Sequence, residues 1–136
     1  MSNMPIFDVA GSAMNAQSVR LSTIASNMAN ADSVAGTADG AFKAKLPVFE
    51  ATPFAGSPEL AGVSVTRVEE STAPALKRYE PGHPLADKDG YVYAPDIDPV
   101  AQMVDLISAS RGYQASVEVF NTAKELAMST LMMGRG

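Results

Sequence analysis

Residues 98–133 decide the fold, and they read DPVAQMVDLISASRGYQASVEVFNTAKELAMSTLMM. Asp98-Pro99 is a helix start signal, because an Asp side chain can accept hydrogen bonds from free backbone N–H groups and Pro suits the first helical position. No further Pro follows, and Gly112 is the one internal glycine. At about 1.5 Å per residue, the stretch predicts a helix roughly 50 Å long.

The apolar residues of this stretch follow a heptad pattern. Steps of three and four give the row Met103, Leu106, Ser110, Tyr113, Val117, Phe120, Lys124, Ala127 and Leu131. Val104 and Ile107 start a second apolar row beside it. A helix of this length does not fold back on itself, so we expect its apolar side to lie against another element.

A second helix is predicted over residues 5–31, where Pro5 can start it. Its recurring row is Ala10, Ala13, Gln17, Leu21, Ile24, Met28 and Ala31. Between Pro5 and Ala31 only Asp8 and Arg20 are charged, whereas an ordinary surface helix carries a charged outer face. We therefore expect this helix to be covered on more than one side.

Asn27 and Asn30 lie near the end of this helix, and two interpretations are open. Asn side chains end helices by bonding to the local backbone. Alternatively, two Asn three residues apart face a partner and fix its register, as a buried Asn does in coiled coils.

Residues 34–97 have a different character, because most of the Gly and Pro lie there and the helical period disappears. Residues 41–51 predict a strand that Pro47 places at a sheet edge. Residues 52–62 predict a loop, residues 62–70 alternate as a strand, and residues 76–80 are its expected partner. Turns are predicted at 81–84 and at Asp89-Gly90, which gives a small β-hairpin insert of three or four strands.

Composition excludes several classes of protein. The net charge is -5 with a pI near 4.7, which argues against a nucleic-acid binder. There is no cysteine, so disulfides and thiolate metal sites are impossible. The first basic residue is Arg20, so the start of the chain lacks the charged region of a secretory signal peptide. No apolar run reaches the ~18 residues of a membrane span.

Residues that could perform catalysis are scarce. The single histidine, His83, lacks a nucleophile motif, so a small hydrolase built on His83 is the weakest hypothesis. The run 87–90, DKDG, resembles part of a calcium loop but lacks the remaining ligand positions. Met128, Met132 and Met133 suit helix packing better than a soft-metal site. We expect no enzyme activity, no metal and no cofactor.

The predicted fold class is α+β. Long terminal helices (1–33 and 98–136) pair as an antiparallel coiled coil around a β-rich insert (34–97). Such a pair of helices leaves apolar surface exposed, and exposed apolar surface marks an interface. When two different surfaces of identical subunits contact each other, the contact repeats and builds rings or helical filaments. We therefore expect a self- or co-assembling structural subunit. The alternative is a soluble helical adaptor or secretion chaperone that does not polymerise.

The residues predicted to form helix–helix and subunit contacts come from both helices. They are Ala10, Ala13, Gln17, Leu21, Ile24, Asn27, Met28, Asn30, Met103, Leu106, Ile107, Tyr113, Gln114, Val117, Phe120, Asn121 and Leu131.

Several of these residues lie within longer motifs. AQSVRL (16–21) and ASNMANA (25–31) resemble the N-terminal signature of the flagellar rod and hook axial protein family. YEPGHPLAD (79–87), GYV (90–92), DPV (98–100), MVDLISASR (103–111), YQA (113–115) and NTAK (121–124) are similar to the proximal-rod members of that family. Residues 35–45 depart from the family pattern, which usually has an aromatic-basic run there.

This resemblance implies a structural subunit of the bacterial flagellar basal body that transmits torque in the periplasmic rod. The implied partners are the proximal-rod proteins FlgB, FlgF and FliE, further copies of the chain, and the membrane ring protein FliF as a further candidate. It also implies passage through the flagellar type III export apparatus without a cleaved signal peptide. No nucleic acid and no membrane insertion are implied.

Overall fold

The computed structural model describes residues 5–54 and 57–135. The elements in chain order are α1 (Pro5–Asn30), β1 (Lys45–Phe54), β2 (Ser57–Glu70), β3 (Leu76–Tyr79), β4 (Tyr91–Ala94) and α2 (Pro99–Met133). Two long helices and two small antiparallel sheets confirm the predicted α+β class.

Helix α2 starts where the sequence predicts. The Asp98 side chain accepts a hydrogen bond from the Val100 N–H at 2.9 Å, and Pro99 is the first helical residue. At the other end, Gly134 donates its N–H to the Thr130 carbonyl oxygen at 3.1 Å. The whole stretch is therefore one helix, which Gly112 does not interrupt.

Helix α1 begins at Pro5 and ends at Asn30, one residue before the predicted end. Its end is closed by Ser33, whose N–H and hydroxyl both donate to the Asn30 carbonyl oxygen, at 3.0 and 2.7 Å. The Asn30 side chain donates to the Ser26 carbonyl oxygen within the same helix at 2.8 Å. For Asn30 the structure therefore agrees with the interpretation of a helix end.

Strands β1 and β2 form a long antiparallel hairpin, with Pro47 opposite Val68 and Pro53 opposite Ala61. The predicted strand over 62–70 is confirmed, but the loop predicted over 52–62 is wrong, since its described parts belong to the two strands. Proline is tolerated because each strand of a two-stranded sheet is an edge, where a missing N–H costs no ladder bond. The register shifts at Val48/Phe49 and at Pro53/Phe54.

Strands β3 and β4 form a second, separate sheet, in which Leu76 is opposite Ala94 and Tyr79 is opposite Tyr91. The prediction that residues 76–80 pair with residues 62–70 is therefore wrong. Ala35 extends this sheet by a bridge to Tyr93, with backbone bonds of 2.8 and 2.9 Å. The residues that follow α1 are thereby tied to the strand that precedes α2.

Few large side chains are buried. The buried apolar residues are mostly alanines, and Val92 is the one large side chain below 2 % exposure in the described residues. Many Leu, Val, Ile, Met and Phe side chains remain exposed, on both helices and on the hairpin. Contiguous apolar patches mark contact surfaces, so the exposed apolar side chains that lie side by side are candidates for contacts with other molecules.

Candidate functional site

The two helices run antiparallel in contact. Contacts join their residues in opposite order along the chain: Phe7–Phe120, Gln17–Gly112, Arg20–Asp105 and Asn27–Gln102. The Phe7 and Phe120 rings meet edge to face with centroids 5.0 Å apart. The Arg20–Asp105 ion pair is 3.3 Å long and exposed, so it contributes little to stability.

Asn27 joins three elements at the other end of the helical pair. Its Nδ2 donates to the Lys45 carbonyl oxygen at 2.9 Å and to Gln102 Oε1 at 3.3 Å. Its Oδ1 accepts from the Lys45 N–H at 2.8 Å, and the residue is 2 % exposed. Asn27 thus faces a partner and fixes its position, as the second interpretation of the Asn residues predicted, but this partner is part of the same chain. It connects α1 to the start of β1 and to α2.

The face that α2 turns toward α1 is offset from the predicted row. The buried and half-buried positions include Gln102, Leu106, Ala109, Gly112, Ser116, Phe120, Ala123 and Ala127. Five positions of the predicted row are half-buried, namely Leu106, Ser110, Val117, Phe120 and Ala127, whereas Met103, Tyr113, Lys124 and Leu131 are exposed. The reason is steric, because a face of Ala, Gly and Ser allows closer helix approach than a face of Met, Tyr and Lys.

Gly112 shows this close approach directly. A Cβ placed there would lie 3.1 Å from Gln17 Nε2 and 3.2 Å from Gln17 Cδ. Gln17 therefore lies flat against the α2 backbone, and its Oε1 is buried without a hydrogen-bond partner among the described residues.

The predicted contact residues of α1 are all at least half-covered in the chain. Ala10, Ile24 and Asn27 are buried, and Ala13, Gln17, Leu21, Met28 and Asn30 are half-buried. Those of α2 divide into two groups. Leu106, Val117 and Phe120 are half-buried, while Met103, Ile107, Tyr113, Gln114, Asn121 and Leu131 are exposed. A subunit contact for the exposed group stays a prediction.

Two exposed apolar stripes lie at opposite ends of α2. The head stripe, defined as Val100, Met103, Val104 and Ile107, has side chains 51–68 % exposed. Its spacing of i, i+3, i+4 and i+7 places the four residues on one side of the helix. The tail stripe, defined as Met128, Leu131 and Met132, has side chains 51–70 % exposed. It lies in the part of α2 that extends past the Phe7–Phe120 contact.

The β1–β2 hairpin packs on α1 through Gly62. A Cβ at Gly62 would lie 2.7 Å from Ser12 Oγ and 2.8 Å from Phe54 Cζ. Ser12 Oγ also accepts the Val63 N–H at 3.1 Å and donates to the Val9 carbonyl oxygen at 2.8 Å. This contact is not predicted from the sequence, where its one signal is a glycine at the start of a clear strand.

The connection between β3 and β4 is built by its own side chains. His83 Nδ1 accepts the Leu85 N–H at 3.1 Å, so the histidine supports a turn. Asp87 Oδ1 accepts the Asp89 and Tyr91 N–H groups, both at 2.9 Å. These bonds, that of Tyr91 first, lower the pKa of the Asp87 carboxyl below its usual value.

Gly90, at φ +84°, completes this turn, and a Cβ there would lie 3.0 Å from the Tyr79 ring. The hairpin signal at Asp89-Gly90 therefore does mark the turn before β4.

Within residues 5–54 and 57–135, no group of three His, Cys, Asp or Glu side chains is arranged to hold a metal ion. Neither helix has the length and hydropathy required to cross a bilayer.

Two family models match the chain, one at each end. The model described as "Flagella basal body rod protein" matches residues 7–36, which contain all of α1 except its first two residues. The model described as "Flagellar basal body rod FlgEFG protein C-terminal" matches residues 88–133, which contain β4 and α2.

Curated relatives match along nearly the whole chain. "Flagellar basal-body rod protein FlgC" of Escherichia coli O157:H7 is 50 % identical over 135 residues, which is 99 % of this chain and 100 % of the relative. The protein of that name from Salmonella typhimurium is 50 % identical with the same coverage. That of Aquifex aeolicus is 41 % identical over 121 residues, 88 % of this chain and 87 % of the relative.

Proposed function

The chain belongs to the FlgC family of flagellar basal-body rod proteins, and on that premise we propose that it assembles into the proximal rod through the exposed faces of its terminal helices. It is a structural subunit of the flagellar basal-body rod. The family is structural, so the prediction that the chain is not an enzyme is confirmed and the hydrolase hypothesis is wrong.

The observation that carries the proposal is the placement of apolar surface on α2. The helix turns its small residues toward α1 and leaves the larger head-stripe residues more than half exposed. A soluble adaptor would be expected to cover such residues within a closed dimer. A subunit that adds to a growing assembly keeps them free until its neighbour arrives.

The proposed assembly unit is the helical pair. We propose that α1 and α2 form an antiparallel coiled coil, with residues 1–33 and 98–136 as the core and residues 34–97 as the insert. The support is the opposite order of the four helix–helix contacts and the three-and-four spacing of the covered α2 positions.

The proposed mechanical role is the transmission of torque. Side chains packed at crystal-like density resist shear, so a tube walled by close-packed helices is stiff. Two contacts support this role because they limit the movement of one element relative to another. They are the close approach of Gly112 to Gln17, between α2 and α1, and the hydrogen bonds of Asn27, which join α1 to β1. The proposed neighbours are FlgB, FlgF, FliE and further copies, with FliF at the membrane ring. The proposed location is the periplasmic rod, reached by type III export.

Complementation tests the proposal. Cells that lack their own copy of the gene receive Val104→Asp/Ile107→Asp, which adds charge to the head stripe, or the control Val119→Asp, also exposed on α2 but twelve residues past the end of that stripe. We expect the double variant to lose swimming and to give basal bodies without rods, and the control to retain both. Circular dichroism of the purified chains checks that both keep their helices. Normal swimming with the folded double variant would contradict the proposal.

A further inference from the structure

The outer edge of β3 carries backbone groups that point away from its own sheet. Tyr91 and Tyr93 in β4 have their backbone N–H and C=O groups bonded to residues outside β3. The residues opposite them in β3 are Tyr79 and Lys77. Because the positions of an antiparallel pair alternate between inward and outward, the backbone groups of Lys77 and Tyr79 point away from β4.

Strand β2 has a similar outer edge. Lys45 is opposite Glu70, but the backbone N–H and C=O groups of Lys45 are both bonded to Asn27. Glu70, and Val68 two residues before it, therefore point their backbone groups away from β1. Among the described residues no third strand pairs with β2, and β3 pairs only with β4. An exposed strand edge of this kind can accept a further strand.

We propose that β3 of one copy pairs antiparallel with the outer edge of β2 of a second copy, with Arg78 opposite Glu69. The contact joins two two-stranded sheets, one from each copy, into one sheet of four strands. A lone two-stranded sheet is marginally stable, and further strands stabilise it. This contact lies outside the helices, and it rests on the proposed function only for the presence of neighbouring copies.

Two ion pairs within the strands match each other in this register. Arg78 is bonded to Glu80 in β3, and Arg67 is bonded to Glu69 in β2, both with Nε–Oε1 distances of 2.6 Å. Because the two strands run in opposite directions, Arg78 lies opposite Glu69 and Glu80 lies opposite Arg67. Exposed charges of this kind contribute little affinity, but they select the register.

The same register aligns the outward backbone groups. Lys77 of one copy lies opposite Glu70 of the other, and Tyr79 lies opposite Val68, so each pair can exchange two backbone hydrogen bonds. Lys77 and Glu70 are also opposite in charge. The paired segment ends at Thr66, where the pairing of β2 with β1 becomes irregular.

Other registers of the same two strands bring like charges together. Moving β3 by two residues along β2 in one direction places Arg78 opposite Arg67. Moving it by two residues in the other direction places Glu80 opposite Glu69. Like charges directly opposite each other destabilise a sheet, so both alternatives are disfavoured.

Pairing of two identical edges is disfavoured as well. Two β3 strands place Lys77 opposite Lys77 or Arg78 opposite Arg78, and their remaining aligned register places Lys77 opposite Pro81, which has no N–H to donate. Two β2 strands place Glu69 opposite Glu69 or Glu70 opposite Glu70, and their remaining aligned register extends into the irregular part of β2.

The two edges of one chain do not meet, because its two sheets are separate. Ser71, Ala73 and Ala75, which connect β2 to β3, line the same small cavity as Ala41 and Phe42. Pairing the edges within one chain requires this connection to reverse and to leave that cavity. Pairing them between two copies leaves the connection in place.

Disulfide cross-linking between two single-cysteine chains tests the contact, since the native chain has no cysteine. Cells that lack their own copy of the gene express Val68→Cys and Tyr79→Cys together, each with a different epitope tag. Basal bodies are oxidised with copper-phenanthroline and separated without reductant. A disulfide needs Cα atoms within about 7 Å, and opposite residues of a hydrogen-bonded antiparallel pair lie about 5.5 Å apart.

The matched control expresses Val68→Cys together with Leu76→Cys. Leu76 is also exposed on β3, but it lies three residues from Tyr79, which is about 10 Å along the strand. We expect a reducible dimer with both tags from the Val68→Cys and Tyr79→Cys mixture. The control mixture and each single variant alone should give at least tenfold less dimer.

Charge variants test the register. Adding Glu69→Lys to the Val68→Cys chain should lower the yield of mixed dimer at least tenfold. Adding Arg78→Glu to the Tyr79→Cys chain as well should restore part of it. Circular dichroism of the purified chains checks that the variants keep their helices. Equal yields with and without Glu69→Lys would show that the register is wrong.

Three outcomes overturn the contact while the proposed function stands. The first is swimming cells without the mixed dimer. The second is a dimer from Val68→Cys alone or from Tyr79→Cys alone, which would show that identical edges pair. The third is the double variant Val68→Cys/Tyr79→Cys closing its disulfide within the monomer without linking copies.

If the single-cysteine chains do not assemble in cells, the two purified full-length chains are mixed and oxidised at rising concentration. A dimer with both tags that is absent from the Leu76→Cys control mixture supports the contact. Its absence at every concentration overturns it.

Discussion

Asn27 binds the backbone of Lys45 as a neighbouring β-strand would, accepting its N–H at 2.8 Å and donating to its carbonyl oxygen at 2.9 Å. The two residues are 18 positions apart, and they join the last turns of α1 to the first residue of β1. The same amide reaches Gln102 on α2. One buried side chain therefore sets where both helices and the hairpin meet.

Replacing Asn27 with Ala should destabilise the chain by about 1–3 kcal/mol, because it leaves two polar groups of Lys45 without partners at a buried position. Urea unfolding of the purified chain measures the loss. Asn30→Ala is the matched control, since within the described residues the Asn30 side-chain amide bonds only to the Ser26 carbonyl oxygen of the same helix. Equal losses for the two variants would show that Asn27 is no more than a helix-end residue.

Substitutions at Gly112 should change the free energy of unfolding through two opposing effects, a gain in helix propensity and a loss of close packing. Gly112→Ala gains up to about 1 kcal/mol of helix propensity. The new Cβ, however, must displace the Gln17 side chain, which lies 3.1 Å away. Gln17 is flexible and its buried Oε1 has no partner in the described chain, so moving it costs little. We expect Gly112→Ala to be slightly stabilising and Gly112→Leu to be destabilising by about 1–3 kcal/mol.

Gly11→Ala is the control for this comparison. It is also an interior helical glycine, and a Cβ there meets nothing within 4 Å. It should therefore gain the full propensity effect in thermal unfolding. A larger gain for Gly112→Ala than for Gly11→Ala would mean that Gln17 does not press on α2.

Substitutions of Phe7 and Phe120 should be energetically coupled, because the two rings are in contact. Both rings are half-buried, so Phe120→Ala should cost about 2 kcal/mol, less than the ~3–5 kcal/mol of a fully buried Phe. A double-mutant cycle with Phe7→Ala isolates the edge-to-face contact, and we expect a coupling of about 0.5–1.5 kcal/mol. Val119→Ala next to it is the control, and it should show no coupling to Phe7. Additive effects of the two Phe variants would rule the contact out.

Local signals were sufficient for the helices and for one strand. Asp98-Pro99 marks the start of α2, and the alternating residues 62–70 lie within β2 as expected. Each of these signals depends on residues a few positions apart, which a single sequence displays directly.

Contacts between distant residues could not be predicted in the same way. The covered face of α2 depends on how closely Gly112 approaches Gln17, and large apolar residues on other sides of the helix suggested a different row. Residues 52–54 were predicted as part of a loop because proline, here Pro53, is excluded from the interior of a sheet. Proline is tolerated in a two-stranded sheet, where both strands are edges. The role of Asn27 was open because its partner, Lys45, lies beyond the end of the helix.

Acid should weaken the β3–β4 connection through Asp87. Its carboxylate accepts the N–H groups of Asp89 and Tyr91 and the hydroxyl of Tyr93, and these bonds lower its pKa in the folded chain. Because the pKa of Asp87 is lower in the folded chain than in the unfolded chain, the ionised carboxylate stabilises the folded chain at pH values above the unfolded pKa of about 3.9. This stabilisation is lost as the pH falls through the folded pKa. The free energy of unfolding should therefore fall more steeply in acid for the native chain than for Asp87→Asn.

Urea unfolding at about pH 6 and about pH 3 measures this difference, since the two values lie on either side of the ordinary Asp pKa. Asp89→Asn is the control, because Asp89 contributes its backbone N–H to the Asp87 contact and the substitution keeps that group. The native chain and Asp89→Asn should lose stability in parallel, while Asp87→Asn starts lower at about pH 6 and converges with them in acid. A constant gap between Asp87→Asn and the native chain at both pH values would mean that the Asp87 charge plays no part in holding the turn.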